Sequence, residues 1–422
     1  MHLTAITTAS ALPGRATRDA LPAEGQAYNA GVRHPTPLPS LALVAVLAFA
    51  GAGAAQSAGW PAVAARFSER VREAGIVGAS LLVVKDGAVA HEAVTGVQDR
   101  ETRQPVDRDT IFHWASITKT FTGVAIMQLR DRGFFSLDDP VVKYVPELRE
   151  VHNPFGDISQ VTIRHLMSHS GGFRAGTWPW GGDQPWQPFE PTRWAQLVAM
   201  MPYTELQFRP GSKYSYSNPG VIFLGRIIEL FSGDDYEVYV TKNILMPLGM
   251  TRTFFDRAPA YLRSHRSHSY NGTDAGVTEQ PFDFDTGITV SNGGLNAPLG
   301  DMAKYLAFLI DGNETILKKA SLLEMATPQI AAKDGEGGSG DDVQAGLSCF
   351  IERHGGVELV GHSGDQNGFI SHLYVHRPSR SGYVVSFNTN VTSTRDPRRT
   401  TRAVDDDVRD AVAAAFWAAG SR

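Results

Sequence analysis

The sequence predicts an α/β fold of the α+β kind, in which an antiparallel sheet is flanked by helices and carries a mainly helical insertion. Three observations point to it. Two apolar runs, 79–84 and 88–94, flank Lys85-Asp86-Gly87, and an Asp-Gly between such runs signals a hairpin. Short apolar runs bounded by Gly, Pro or Ser return at 347–351, 357–360, 369–376 and 383–388. Between these ends, residues 133–270 hold helical stretches separated by Pro and Gly clusters, 162–168 and 221–231 among them. In chain order, residues 60–74 read as a helix and the hairpin follows. A strand-like segment at 111–115 then runs into an apolar stretch beginning near Phe121, and a last helix spans 405–419. Strands at both ends with helices between them place both ends of the domain in one sheet. The domain is expected over 59–422, with an α/β lobe at 60–125 and 285–422 and a helical lobe at 126–284.

With 422 residues, 42% of them hydrophobic, the chain can bury a large core. A formal net charge of -5, with no basic stripe or polycationic tail, argues against nucleic acid or an anionic membrane surface as partner. A small-molecule or peptide substrate fits better. Residues 41–55 form a charge-free apolar run that ends in small residues and is shorter than the ~18 needed to span a bilayer. It reads as a signal-peptide core, so residues 1–58 are expected to be a leader and the mature protein to be exported, periplasmic or secreted, with no membrane span. The run starts late for such a leader; a start near Val32 would leave Arg33 and His34 as its charged region. The single cysteine, Cys349, excludes an intramolecular disulfide and a cysteine metal site, and its apolar surroundings read as a buried strand.

The chain contains one Ser-x-x-Lys tetrad, Ser116-Ile117-Thr118-Lys119, at the start of the apolar stretch. Positions three apart share a helix face, so the hydroxyl and the amine come within reach of each other. A buried lysine loses its proton readily, and a neutral amine beside a serine activates an otherwise weak nucleophile. Tyr216-Ser217-Asn218 follows the turn signal Arg209-Pro210-Gly211 and precedes Pro219-Gly220. A phenol held there between cations is expected to have a lowered pKa and to relay protons, while the Asn218 amide holds a substrate carbonyl or amide. Gly361-His362-Ser363-Gly364 follows an apolar strand and leads into Asp365. Its glycines admit a substrate backbone at the strand edge, and the N–H groups of Asp365 and Ser116 would form an oxyanion hole, with His362 and Ser363 facing the substrate.

Taken in order, Ser116 to Lys119, Tyr216 to Asn218 and His362 to Gly364 resemble the three motifs of the serine β-lactamase and penicillin-binding-protein family, on the branch of class C β-lactamases, D-Ala-D-Ala carboxypeptidases, D-aminopeptidases and esterases. Segments such as Leu137-Asp138-Asp139-Pro140, His165 to Gly172 and Pro247-Leu248-Gly249-Met250 extend the resemblance, which covers Trp60 to the C-terminus. It implies a β-lactamase/transpeptidase-like fold and an acyl-enzyme hydrolase without metal or organic cofactor. In that scheme Ser116, Lys119 and Tyr216 are catalytic, and Asn218, His362, Ser363 and Gly364 bind substrate. Class C β-lactamases carry lysine where this chain has His362, and peptidases and esterases of the family commonly carry histidine. The expectation is therefore an ester or D-amino-acid amide substrate. A class C-like β-lactamase and a non-turnover penicillin- or peptidoglycan-binding protein are the alternatives.

Other signals are set aside. His165 and His169 are four apart, but Leu166 stands where a zinc-protease helix needs glutamate, so both are read as structural. Gly335 to Gly340 matches a dinucleotide glycine pattern by letter only, in an acidic surface loop. Trp178, Trp180, Trp186, Phe189 and Trp194 either line a cleft or pack an irregular loop.

Overall fold

The Asp86-Gly87 pair closes a two-residue hairpin in which both residues have positive φ (49° and 77°), the geometry that matches strand twist. It joins β1 (Gly78–Lys85) to β2 (Ala88–Gly96), preceded by α1 (Trp60–Ala74), all within a few residues of the expected bounds. The computed structural model describes residues 59–173, 191–332, 340 and 342–417. The leader and most of the Trp-rich stretch and of the Gly-rich loop lie outside them.

The chain continues through β3 (Ile111–His113), α2 (Thr118–Asp131) and α3 (Ile163–Met167). The middle of the chain carries α4 (Trp194–Val198), α5 (Asn218–Ser232), α6 (Tyr236–Val240) and three short strands, β4 (Phe254–Phe255), β5 (Tyr270–Thr273) and β6 (Gly276–Glu279). Next come α7 (Val290–Gly293), β7 (Leu295–Pro298), α8 (Leu299–Asp311), α9 (Lys319–Met325), β8 (Ile330–Ala331) and β9 (Asp342–Ala345). The last third closes with β10 (Phe350–His354), β11 (Val357–Gln366), β12 (Phe369–His376), β13 (Ser381–Phe387), β14 (Thr389–Ser393) and α10 (Thr401–Phe416).

Among the described residues, the main sheet runs β2-β1-β13-β12-β11-β10-β9-β8, with every pair antiparallel, so both ends of the domain share it. Strand alternation divides the core. Leu81 and Val83 pack with α1 and α10 on one face, and Leu82 and Val84 join α2, α5 and α8 on the other. Two expected strand boundaries move. Leu347, Ser348 and Cys349 precede β10, because Ser348 adopts φ 60° and gives its N–H to the Met167 carbonyl (2.7 Å). The strand expected at 357–360 runs on to Gln366, so His362-Ser363-Gly364 lies inside β11 and does not follow it. Glycine in a strand there marks close approach: a Cβ on Gly361 would lie 1.8 Å from the Leu373 carbonyl.

Helix α2 is buried from Thr118 to Leu129, and its polar groups are satisfied locally. The Thr122 hydroxyl donates to the Ser291 carbonyl (2.6 Å), Thr120 accepts from Tyr305 (2.9 Å), and Gln128 donates to the Ile316 carbonyl (2.8 Å). Close packing of α5 on α7 depends on Gly225, where a Cβ would sit 2.6 Å from the Ser291 hydroxyl. That contact sets Asn292 beneath α2.

Candidate active site

β3 delivers the chain to Trp114, whose N–H bonds the Leu295 carbonyl (2.8 Å) and whose indole bonds that of Ala297 (2.9 Å). Ala115 then takes φ 48°, a left-handed conformation that costs a residue with a Cβ roughly 1–2 kcal/mol. The turn Ala115–Ile117 runs straight into α2, placing Ser116, half-buried, at the helix start where the dipole favours negative charge. Strand β11 approaches this turn closely, since a Cβ on Gly364 would lie 2.3 Å from the Trp114 carbonyl. Gly364 thus makes room for the protein's own backbone rather than for a substrate's.

Lys119 is 0% exposed. Its Nζ lies 3.0 Å from Ser116 Oγ and donates to the Asn292 carbonyl at 2.8 Å. No carboxylate pairs with it among the described residues, and burial holds its pKa well below the ordinary lysine value. Burial without a paired carboxylate thus favours the uncharged form of the amine beside the Ser116 hydroxyl.

Lys119 Nζ stands 5.0 Å from the centre of the Tyr216 ring, and the phenol faces the Ser116 side chain closely enough to influence its titration. The expectation of a lowered phenol pKa is overturned: burial raises it above its usual value, with the neighbouring Ser116 hydroxyl acting in the opposite sense. Loss of water around the phenol outweighs every other influence on it. Asn218 opens α5 behind Ser217, whose hydroxyl caps the helix by accepting from the Gly220 N–H (3.2 Å).

β10 pairs with β11 only as far as Gly361, so residues 362–366 pair with β12 alone and their other edge adjoins the Ser116 turn. His362 Nδ1 lies 2.6 Å from the Ser363 carbonyl and so must carry the proton, which leaves Nε2 as an acceptor. Burial lowers the His362 pKa to about 3, so the ring is neutral at physiological pH. Its ring centre lies 6.2 Å from that of Tyr216. Alternation along β11 turns Ser363 to the opposite face, that of its register partner His372. The Asp365 carboxylate is turned away, accepting from Asn390 (3.2 Å) and Arg402 (3.0 Å). Three buried polar atoms, Asn218 Oδ1, Asn292 Nδ2 and His362 Nε2, have no hydrogen-bond partner among the described residues.

Sequence reasoning missed two members of the site. Asn292 contributes a main-chain carbonyl, for which no side-chain signature exists. His169, set aside with His165, packs against Tyr216 with ring centres 4.4 Å apart. His165 stays apart, with Nδ1 on the Gln160 carbonyl (3.1 Å), and the described residues contain no cluster of three or more metal-binding side chains.

The comparisons with known proteins identify the family of this chain. The Beta-lactamase family profile matches residues 63–407, and the chain belongs to that family. Protein flp of Staphylococcus aureus (strain COL) is 27% identical over 318 residues, covering 75% of this chain and 60% of that protein. The chain thus spans well under two thirds of the length of that relative. The octameric penicillin-binding protein homologue from Pyrococcus abyssi matches with TM-score 0.68 and 32% identity, over 78% of this chain and 73% of that one. The D-amino acid amidase from Ochrobactrum anthropi SV3 shares the fold at TM-score 0.68 and 23% identity, over 83% of this chain and 97% of that one. Among the described residues no helix is long and apolar enough to cross a membrane.

Proposed function

We propose that the chain hydrolyses an ester or D-amino-acid amide through an acyl-enzyme on Ser116. One observation carries this reading: the Lys119 amine, fully buried and without an anionic partner among the described residues, sits 3.0 Å from the Ser116 hydroxyl. Lys119 takes the Ser116 proton as Oγ attacks the carbonyl carbon, and the N–H groups of Ser116 and Asp365 hold the oxyanion. Tyr216, a phenol with a raised pKa, gives its proton to the leaving group and recovers one from the Lys119 ammonium. Water, activated by the same two groups, then releases the acyl chain. Asn218 and His362 orient the substrate, and Ser363 and Gly364 shape the edge of β11. The apolar run at 41–55 supports export, with the reaction taking place outside the cytoplasm.

Substrate choice follows from His362. A neutral imidazole presenting Nε2 as an acceptor welcomes an N–H or O–H donor and gives a β-lactam carboxylate no positive charge. Amide hydrolysis is the activity named for the Ochrobactrum neighbour. Steady-state rates on p-nitrophenyl esters, D-alanyl peptides and nitrocefin test the reading: esters or D-peptides should turn over well ahead of nitrocefin, and the reverse order would point to a β-lactamase. A burst on every substrate with no steady state would instead mark a single-turnover binder. His362→Lys should raise nitrocefin turnover about tenfold, the size expected of one charge-assisted hydrogen bond. An unchanged rate would remove His362 from the carboxylate end of the substrate.

A further inference from the structure

His169 is a non-glycine residue held at φ 54° and only 4% exposed. Its carbonyl accepts the N–H of Ser215 (2.9 Å), and its Nδ1 accepts the N–H of Ser217 (3.1 Å). Its ring lies against that of Tyr216 at 31° and is stacked at 12° to Phe350, which in turn packs on His362 with ring centres 5.0 Å apart. One residue therefore grips the backbone on both sides of Tyr216 and supports the ring between the two grips. The Nδ1 bond requires that nitrogen to be unprotonated, so the ring is the Nε2–H tautomer. An apolar side chain of the same volume could fill the space but could not hold the Ser217 N–H.

We infer that His169 is a positioning residue for the reaction, setting the Tyr216 phenol against Ser116 by fixing the main chain at 215 and 217. The inference rests on the reading of Ser116 and Tyr216 as reacting groups. His169 itself touches no reacting atom and acts wholly through Tyr216. Displacement of a reacting group by about 1 Å can cost about a hundredfold in rate, so the grip matters more for turnover than for substrate binding.

Two polar replacements separate the position of the acceptor from mere filling of space. Asparagine places its oxygen where Nδ1 stands and tolerates positive φ, whereas glutamine carries its oxygen one bond further out. In the full chain, His169→Gln should lower kcat about a hundredfold with KM little changed, and His169→Asn should stay within about threefold of the native enzyme. Rates are to be expressed per Ser116 labelled by a fluorophosphonate, so that a misfolded fraction does not count. In a Tyr216→Phe background the same His169→Gln change should cost less than about threefold, because the group it positions is gone. Equal losses in His169→Asn and His169→Gln, or a loss undiminished by Tyr216→Phe, would overturn the inference. Failure of the native protein to label at Ser116 would overturn the hydrolase reading instead.

Discussion

Lys119→Met is expected to lower kcat/KM by about a thousandfold or more while leaving the melting temperature within a few degrees of native. The two halves of this result have the same cause. The native amine is fully buried and hydrogen-bonded to one hydroxyl and one neutral carbonyl, a setting that favours the uncharged base. Removing it abolishes proton abstraction from Ser116, and a positioned base contributes about 10²–10⁴-fold. Methionine fills nearly the same volume with no polar atom to desolvate. The cost is the Asn292 carbonyl left without its donor, about 1–3 kcal/mol, offset in part by relief of the buried amine. Rate assays and calorimetry on the two proteins check both halves. Activity within about tenfold of native would mean that the lysine is not the base.

Tyr216→Phe is expected to lower amide turnover by about 10²–10³-fold but p-nitrophenyl ester turnover by less than about tenfold. The phenol is partly buried beside Ser116 and raised in pKa, so at working pH it is a proton donor and not a phenolate. An amine leaving group must be protonated as it departs, whereas p-nitrophenolate leaves without a proton. The sensitivity of the variant to leaving-group basicity thus reads the role of the phenol directly, through parallel assays on a D-alanyl amide and a p-nitrophenyl ester. Equal losses on the two substrates would assign Tyr216 to some other step.

Much of this arrangement is legible in the sequence because it rests on local spacing. Asp86-Gly87 needs positive φ at two adjacent residues, a requirement few dipeptides meet, and the hairpin appears where that pair stands. Ser116 and Lys119 meet because three residues along a helix return to the same face. What escapes a linear reading depends on residues far apart in the chain. The direction of the phenol pKa shift turns on how far Tyr216 is removed from water, which the packing of distant segments decides. Asn292 acts through its main chain, and His169 through bonds to residues 215 and 217, some 46–48 positions away. The third motif is expected to follow a strand, with its glycines admitting a substrate backbone. Within β11 they serve instead the approach of the Leu373 and Trp114 carbonyls, and sequence alone does not separate these two uses of glycine.

The central claim is that Ser116 is activated by an uncharged lysine. The rate of Ser116 labelling by a fluorophosphonate as a function of pH, followed by intact mass for the native protein and Lys119→Met, tests it most directly. Because the folded-state pKa of Lys119 lies below its ordinary 10.5, the amine is protonated under that lowered value and free above it. One adduct is expected, on Ser116, forming at a rate that rises with pH along a limb centred well below 10.5 and absent from the variant. No adduct, an adduct on another residue, or a pH limb shared by both proteins would contradict it.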